Sequence, residues 1–481
     1  MYPDLQNANA SAAYPVESEK ETTEPLLAQT ASEDVPTEYY AMYVPFEDQQ
    51  EVRLGRPRKG CRHRLWYIIV CILFLLIFLR PIVHIIAYIF VKATTPQDWA
   101  PESDPWHLHD PVGDVSECGD IVRWTIDADA SRPQWPLHAT TSVSLPIDAE
   151  ELFFHAKGAF AYGTFEIVQF DEPGPNAIVE VDVWYKTEQA LLDATVCSIR
   201  PATGRHGLGI FTPPWEHPSR DSKLHFHVRL RLPLSGSRTP LAINKLSTNL
   251  PLFAHHFPEL ADTALFKSLD IRSTNAPMKA DSLAVDVAAL RALNGRIEGN
   301  FAATSLLELV TENAAIYAQV NLVNKDEAKG TILRMNSKNG AIDANVGLHV
   351  PQKSEPSGGA FRVNAMTFNA PVDIAFTHAP SHSLLNATAV SSNAPVKITA
   401  HPTFEGTFDL HSSWYTPPTY VQNRTIEDPL GWGRRRDVQL DPFRTKKGAI
   451  CGKAVWKPEH PLAKNGHINL ETTNARSLLI I

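Results

Sequence analysis

The sequence predicts a mainly β protein with four parts: a disordered N-terminal tail, one transmembrane helix, a β-sandwich-like module and a stacked, solenoid-like β-repeat domain. Two observations support this prediction. A long apolar run occupies residues 65–91, and a short motif of Ser or Thr followed by Asn-Ala or Asn-Gly recurs between β-type runs in the second half of the chain. The net charge of −9 argues against a nucleic-acid partner, because such proteins normally carry a basic patch.

Residues 1–51 form the predicted cytosolic tail. The segment is rich in Glu, Ser, Thr, Ala and Pro and has Lys20 as its single basic residue. It shows no apolar period, so it cannot bury enough surface to offset its chain entropy. We therefore expect this tail to be disordered.

Residues 52–64 are a basic segment. Within it, Gly55-Arg56-Pro57-Arg58-Lys59 resembles the Gly-Arg-Pro core of a minor-groove-binding hook. The alternative is a juxtamembrane cluster that marks the cytosolic side and attracts anionic headgroups. The adjoining apolar run favours the juxtamembrane interpretation.

The apolar run at 65–91 is longer than the roughly 20 residues that cross a bilayer. Arg80 and Pro81 interrupt it, and we expect a kink at the proline. Basic residues precede the run, whereas Asp98, Glu102 and Asp104 follow it. The positive-inside rule then predicts a type II single-pass protein. Its C-terminal part would be extracellular or luminal, at the plasma membrane or an endomembrane.

The cysteines and glycosylation sequons are interpreted on that topology. Cys61, in the basic segment, is either a palmitoylation site or an idle thiol. For Cys118 and Cys197 we favour a disulfide, and a bond from Cys451 to an earlier strand is the rival. Two luminal sequons begin at Asn386 and Asn423 and are candidate N-glycan sites.

A Pro- and Trp-containing stalk at 92–114 leads to the β-sandwich-like module at 115–240, where apolar and polar residues alternate as in half-buried strands. His225 and His227 share one face of a predicted strand. They suggest either a metal site or a solvated polar face, and the absence of a third ligand at a suitable spacing favours the polar face. The pair His255-His256 is assigned to a proline-bounded connection.

The β-repeat domain is predicted at 241–481. From residue 249 to residue 393 its asparagine motifs are 19 to 30 residues apart, which suits one supersecondary unit per repeat. We favour stacked strands with the asparagines aligned at turns, because Asn tolerates left-handed turn conformations. The alternative is an antiparallel sandwich with Asn-Gly hairpins. The motifs contain the asparagines at positions 249, 275, 294, 313, 339, 369, 393 and 474.

Residues 401–465 interrupt the repeat with an aromatic and basic insertion. Trp432, Trp456 and the arginines at 434–436 are its most distinctive residues. Such a group could bind a glycan or an anionic surface. It could equally cover the open end of the stack, and we favour this capping role.

The repeat region resembles a fungal family of single-pass membrane proteins. The resemblance rests on the asparagine motifs, the run Phe404-Glu405-Gly406-Thr407-Phe408, the run Glu427-Asp428-Pro429-Leu430-Gly431 and the closing Thr472-Thr473-Asn474-Ala475. The ectodomains of this family are similar to the adhesin-like, toast-rack type of bacterial β domain. The resemblance implies fold and topology, and it implies no catalytic residues.

The sequence contains no Gly-x-Ser-x-Gly, phosphate-loop, His-Glu-x-x-His or Cys-x-x-Cys motif, so we predict no catalytic, cofactor-binding or metal-binding residues. The leading hypothesis is a non-enzymatic, membrane-anchored scaffold. Its partners would be the lipid bilayer and a cell-wall polysaccharide, a glycoprotein or another membrane protein. The alternative is a polysaccharide hydrolase or lyase on a β-solenoid. Its carboxylates would come from Asp281, Asp286, Glu298, Glu308 and Asp343.

Overall fold

The computed structural model describes residues 116, 118–127, 133–214, 222–236, 240–351, 358–413, 415–423 and 425–481. The predicted tail, basic segment, apolar run at 65–91 and stalk up to residue 114 lie outside these ranges, as does Cys61. Among the helices that the structure describes, none has the length and apolar character needed to cross a membrane. The described residues are mainly β, as predicted.

The first nine strands and one short helix precede residue 240. Their bounds are β1 Cys118–Ile121, β2 Thr125–Ile126, β3 Leu137–Pro146, β4 Glu151–Lys157, β5 Tyr162–Pro173, β6 Asn176–Tyr185, α1 Glu188–Leu192, β7 Thr195–Ile199, β8 Arg205–Phe211 and β9 Leu224–Leu234. Thr187 caps α1 by accepting a hydrogen bond from the backbone N–H of Ala190.

Eighteen further strands follow in the described part of the chain. The first nine are β10 Leu241–Asn249, β11 Leu252–Glu259, β12 Ala264–Ser273, β13 Met278–Ala292, β14 Ile297–Thr311, β15 Ile316–Val323, β16 Thr331–Asn336, β17 Ile342–His349 and β18 Ala360–Thr367. The others are β19 Val372–His378, β20 Leu384–Ser391, β21 Val396–Thr399, β22 Gly406–His411, β23 Thr419–Val421, β24 Arg435–Leu440, β25 Ala449–Lys457, β26 Gly466–Thr472 and β27 Ser477–Ile480.

These strands form two parallel stacks, which we name sheet 1 and sheet 2. Sheet 1 runs β8–β4–β10–β12, through the second halves of β13 and β14, to β16–β18–β20–β26–β22. Sheet 2 runs β9–β5–β11, through the first halves of β13 and β14, to β15–β17–β19–β21–β27–β23. The pairing is parallel throughout both stacks, which agrees with the stacking prediction rather than with hairpins.

The hydrophobic core lies between the two sheets. Buried and more exposed residues alternate along most of the stacked strands, as in β15, where Ile316, Ala318, Val320 and Leu322 are buried. One continuous buried cluster contains residues from β4 to the end of the chain. The stack crosses the boundary predicted at residue 240, because β4 pairs with β10 and β5 pairs with β11.

Antiparallel strands extend both sheets at one end of the stack and sheet 1 at the other. At the first end, β6 and β3 extend sheet 2 beyond β9, while β7 and β1 extend sheet 1 beyond β8. A disulfide joins Cys118 of β1 to Cys197 of β7, the pairing that the sequence favours. At the other end, β25 and β24 extend sheet 1 beyond β22. Strand direction therefore changes at both ends of sheet 1 and at the β9 end of sheet 2, whereas the described strands of sheet 2 end with β23.

The C-terminal strands lie inside the stack rather than at its end. β26 pairs with β20 on one side and with β22 on the other. β27 likewise lies between β21 and β23. After β21 the chain thus continues to the end of the stack, where it forms the antiparallel cover. It then returns, and its last two strands, β26 and β27, lie between strands that precede them in the sequence.

The asparagine motifs lie where each strand of sheet 1 turns into the next strand of sheet 2, and their side chains form a ladder. Each Nδ2 donates to the Oδ1 of the preceding motif, over 2.6–2.8 Å. All six bonds run in the same direction along the stack. The ladder contains Asn275, Asn294, Asn313, Asn339, Asn369, Asn393 and Asn474.

A second row of hydroxyl groups lies beneath the ladder. Ser337 accepts a hydrogen bond from the backbone N–H of Gly340 over 2.9 Å and donates to the carbonyl of Ala314 over 3.2 Å. Each hydroxyl is two residues before its asparagine and is buried. Gly340 has no room for a side chain, since a Cβ there would lie 1.8 Å from the carbonyl oxygen of Ala314. At this turn the glycine therefore permits a close turn-to-turn contact.

Candidate functional site

An open groove of about 560 Å³ lies on the outer face of sheet 2. It crosses β13, β14, β15 and β17, and its side chains are carboxylates, amides, one lysine and one tyrosine. The polar residues that line it are Glu259, Lys279, Asp281, Glu298, Asn300, Tyr317, Gln319, Asp343 and Asn345.

The parallel register places these side chains in rows. Lys279, Glu298, Tyr317 and Asp343 are direct neighbours on successive strands, and Asn300, Gln319 and Asn345 form a second row two residues further on. Because side chains alternate across a strand, residues of both rows point away from the core. Tyr317 is 44% exposed, and the Arg296 guanidinium lies 5.7 Å from the centre of its ring.

The charges in the groove are partly balanced. Lys279 lies 2.7 Å from Asp281, and Arg296 lies 3.1 Å from Glu298. Hydrogen bonds from Lys279 and then from His256 lower the pKa of Asp281 below its usual range. Glu259 and Asp343 have no basic side chain within 4.0 Å among the described residues. The groove therefore presents a net negative surface.

Of the five acids proposed from the sequence, three line this groove and two do not. Asp281, Glu298 and Asp343 belong to the groove. Asp286 and Glu308 lie in the halves of β13 and β14 that belong to sheet 1. There, Asp286 accepts a hydrogen bond from Thr304, and Glu308 pairs with Arg291. The five acids therefore do not share one face.

A second concavity, of about 350 Å³, lies on the same face of sheet 2 at the strands before β13. We name it the histidine pocket. It is lined by Thr164, Glu166, Trp184, His225, His227 and His256.

The Glu166 carboxylate organises the histidine pocket. His227 lies 3.3 Å from one of its oxygens through Nε2, and His256 lies 3.2 Å from the other through Nδ1. The second ring nitrogen of His256 lies 2.9 Å from Asp281 Oδ2. His256 and Asp281 therefore join the pocket to the groove.

His225 forms the aromatic side of the pocket. The centre of its ring lies 5.7 Å from that of Tyr162, 6.1 Å from that of Trp184 and 6.2 Å from that of Trp135. Trp184 is 6% exposed, so it forms the floor of the pocket rather than its rim. The sequence pairs His225 with His227 on one strand face, and the structure adds the aromatic partners from other strands.

The structure clarifies the histidine and arginine pattern of β9. Arg229 pairs with Glu180 and Asp182, and Arg231 pairs with Glu180. In the described part of the chain, no three His, Cys, Asp or Glu side chains are grouped so that they could hold a metal ion. His225 and His227 line a partly enclosed pocket, whereas the sequence favoured a solvated face.

The assignment of His255 and His256 to a connection is wrong, because both lie in β11. His256 faces the outer surface of sheet 2, whereas His255 is buried in the core. The neighbouring prolines at 251 and 258 hid the alternation of β11 from the sequence pattern.

The two candidate glycan sites differ in exposure. Asn423 is exposed, and its Oδ1 accepts hydrogen bonds from the backbone N–H and the hydroxyl of Thr425 over 3.1 and 2.7 Å. Asn386 is half-buried in β20, between β18 and β26. Their glycosylation stays a prediction. Cys451 is a buried free thiol, and burial followed by the neighbouring Asp409 raises its pKa to about 11.

The insertion at 401–465 contributes to the antiparallel cover. Trp456 is buried and donates from Nε1 to the carbonyl of Pro402 over 3.0 Å. Arg434 pairs over 2.8 Å with Asp428, and both side chains are almost completely buried. Trp432, by contrast, is 62% exposed. The buried Trp456 and Arg434 therefore belong to the cover of the stack, which agrees with the capping role favoured from the sequence. Trp432 lies at the surface.

Sequence reasoning missed most of the residues that line the groove and the pocket. Glu166, Thr164 and Trp184 come from strands distant in sequence, so no local spacing identifies them. Asn300 and Gln319 could have been found as outward residues at every second position of predicted strands. The alternation of apolar and polar residues predicts which face of its strand a residue occupies. The order in which the strands pair decides which of these residues meet at the site.

Comparisons with known proteins give distant structural similarity alone. The sequence matches neither a family model nor a curated protein. A "putative adhesin" from Bacteroides fragilis is 7% identical, with 71% of this chain and 97% of that chain covered and a TM-score of 0.27. One from Parabacteroides distasonis is 10% identical, with the same coverage and a TM-score of 0.29.

A "putative cell adhesion protein" from Clostridium sporogenes is 7% identical, with 71% of this chain and 98% of that chain covered and a TM-score of 0.15. These identities and scores are too low to support an argument about this chain. Its description as a mainly β protein rests on its own strand pairings.

Proposed function

We propose that this chain is a membrane-anchored, non-enzymatic, adhesin-like scaffold that binds an extended polysaccharide along the groove of sheet 2. The anchor would be the apolar run at 65–91, with the β domain outside the cytosol, at the plasma membrane or an endomembrane. The observation that carries the proposal is the groove itself, with its two parallel rows of carboxylates, amides and Tyr317.

The chemistry of the groove suits a neutral glycan. Sugar hydroxyls donate hydrogen bonds to carboxylates and exchange hydrogen bonds with amides, and an exposed aromatic ring offers a face for a pyranose. The strands repeat every 4.7–4.9 Å or so, so equivalent side chains recur along the stack at a fixed spacing. A polymer lying across the strands would meet an amide on each of three successive strands, at Asn300, Gln319 and Asn345.

The same groove favours one rival function, a polysaccharide hydrolase. Glu298 and Asp343 lie on strands separated by β15, which places their backbones roughly 10 Å apart. Inverting glycosidases use two carboxyls at about 6.5–9.5 Å, one of which has a raised pKa. Hydrogen bonds from Lys279 and His256 lower the pKa of Asp281, so this carboxyl is unsuited to the role of the general acid.

The test uses the purified full-length protein in detergent micelles and a panel of polysaccharides. We expect binding that weakens about tenfold in Tyr317→Ala, equivalent to about 1.4 kcal/mol. Phe443→Ala is the matched control, because Phe443 is 96% exposed in the insertion. If Phe443→Ala lost binding and Tyr317→Ala did not, the binding site would lie on the insertion and not in the groove. Release of new reducing ends would favour the hydrolase, and absence of binding to every polysaccharide would refute the proposal.

A further inference from the structure

We propose that the histidine pocket is a subsite for a single neutral pyranose ring, at the end of the glycan that the groove binds. This inference rests on the proposed function. It adds which class of sugar is bound and where the end of the glycan chain lies. It is argued from the location, shape, chemistry and charge of the pocket.

The location of the pocket supports an end position. The pocket and the groove share the outer face of sheet 2 and are joined through His256 and Asp281, 2.9 Å apart. Trp184 lies on β6, the antiparallel strand beyond the parallel stack. The pocket therefore lies where the regular rows of the groove end and the strand direction changes.

The shape of the pocket suits one ring. Its volume of about 350 Å³ is near the lower bound of about 300 Å³ for ligand pockets. Trp184 forms an apolar floor. The ring of His225 lies near that of Trp184 and also near the rings of Tyr162 and Trp135. Held by three aromatic neighbours, the His225 ring forms a wall against which the flat face of a sugar can pack.

The polar groups of the pocket match hydroxyls. Glu166 presents two carboxylate oxygens, each already within 3.3 Å of an imidazole nitrogen, and Thr164 adds a hydroxyl. Sugar hydroxyls can donate to the remaining lone pairs of the Glu166 carboxylate, which the two imidazoles hold in place, and exchange hydrogen bonds with the Thr164 hydroxyl. The pocket thus offers donors and acceptors in close alternation, as a polyhydroxylated ring requires.

The charges around the pocket favour a neutral sugar over an acidic one. Arg229 and Arg231, the nearest cations along β9, are paired with Glu180 and Asp182. Glu166 and Asp281 would repel a carboxylate or a sulfate group on the ligand. A neutral pyranose carries no charge, so these carboxylates would not repel it.

The test measures binding of the full-length protein to cellulose, chitin and mannan oligosaccharides and to the corresponding polymers, with oligogalacturonate as the acidic probe. His225→Ala removes the ring wall. We expect its affinity for the best neutral oligosaccharide to fall about tenfold, while its affinity for the long polymer changes less than about threefold. His411→Ala, an exposed histidine on sheet 1, is the control and should bind as the wild type.

Thr164→Gln, which adds bulk within the pocket, gives a second measurement should His225→Ala fail to fold. Equal oligosaccharide binding by the wild type and a folded pocket variant would overturn this inference and leave the groove proposal standing. Preference for oligogalacturonate would overturn the neutral class. If the wild type binds neither polymers nor oligosaccharides, both proposals fail.

Discussion

His255 shows how one residue couples the β domain to pH. It is completely enclosed between the sheets, where its Nε2 lies 2.9 Å from the hydroxyl of Thr248. Phe165 and Phe257 lie beside its ring, with ring centres at 5.5 and 6.4 Å. Burial lowers the pKa of His255 to about 3, from an ordinary value of 6.5.

We expect the stability of the β domain to fall as the pH drops from about 6.5 toward 3. In this range the unfolded chain binds a proton at His255 that the folded chain rejects. The loss from this residue should be up to roughly 1.4 kcal/mol per pH unit. Above pH 6.5 or so its contribution is fully present and constant.

The measurement compares urea unfolding of the wild type and His255→Gln between about pH 7.5 and pH 4.5. Glutamine keeps a hydrogen-bond acceptor for Thr248 and does not titrate. The variant should show a smaller loss on acidification, whereas His411→Gln should follow the wild type. Equal slopes for wild type and His255→Gln would show that the buried histidine is not the coupling group.

The asparagine ladder is the structural element that orders the turns. Asn313 donates to Asn294 and accepts from Asn339, each over 2.7 Å. An aspartate at 313 would still accept, but its ionised carboxylate could not donate and would face an oxygen of Asn294. We expect Asn313→Asp to lower the free energy of unfolding by about 1–2 kcal/mol at neutral pH, from one lost bond and one repulsive contact.

Protonation should partly rescue Asn313→Asp, because a neutral carboxyl can donate to Asn294 again. Denaturation curves of this variant, Asn313→Ala and wild type at neutral and mildly acidic pH test the prediction. Asn345→Asp is the control, since Asn345 is equally exposed but lies outside the ladder. The role of the ladder would be disproved if Asn313→Asp and the control were equally stable.

The elements differ in how far the sequence predicts them. The spacing of the motifs indicates parallel stacking, and the hydroxyl that precedes most of the asparagines indicates a turn. The alignment of the asparagines was predicted, but the side-chain hydrogen bonds between them, such as that from Asn294 to Asn275, were not, because strand patterning does not specify side-chain contacts at turns. The histidine pocket was missed for the same reason: its residues on β5, β6, β9 and β11 become neighbours through pairings between distant strands.

At the scale of the whole molecule, the order of strands in space differs from their order in the chain. A simple stack would place β22 next to β20, but β26 lies between them and β27 lies between β21 and β23. The repeat pattern predicts a last unit near residue 474 and does not show where it inserts. The antiparallel cover formed by 401–465 is thus held to the stack by strands that come after it in the chain.

Deletion of residues 466–481 should release that cover. Without β26 and β27, β22 and β23 lose their parallel neighbours, and the Asn474 to Asn393 bond of 2.6 Å disappears. Deleting residues 1–15, which removes nearly as many residues from the predicted tail, is the control. Limited proteolysis followed by mass spectrometry should detect new cleavage between 400 and 465 in the C-terminal deletion, with the earlier strands still protected.

Two other outcomes would contradict this account of the stack. Continued protection of 400–465 would mean that the cover attaches independently of the last two strands. Uniform loss of protection down to β10 would mean that the stack unfolds as one unit rather than unit by unit. Solenoid proteins normally lose terminal units first, because each unit contacts only its neighbours. We therefore expect the opening to stop near β20 and β21, the strands that β26 and β27 pair with.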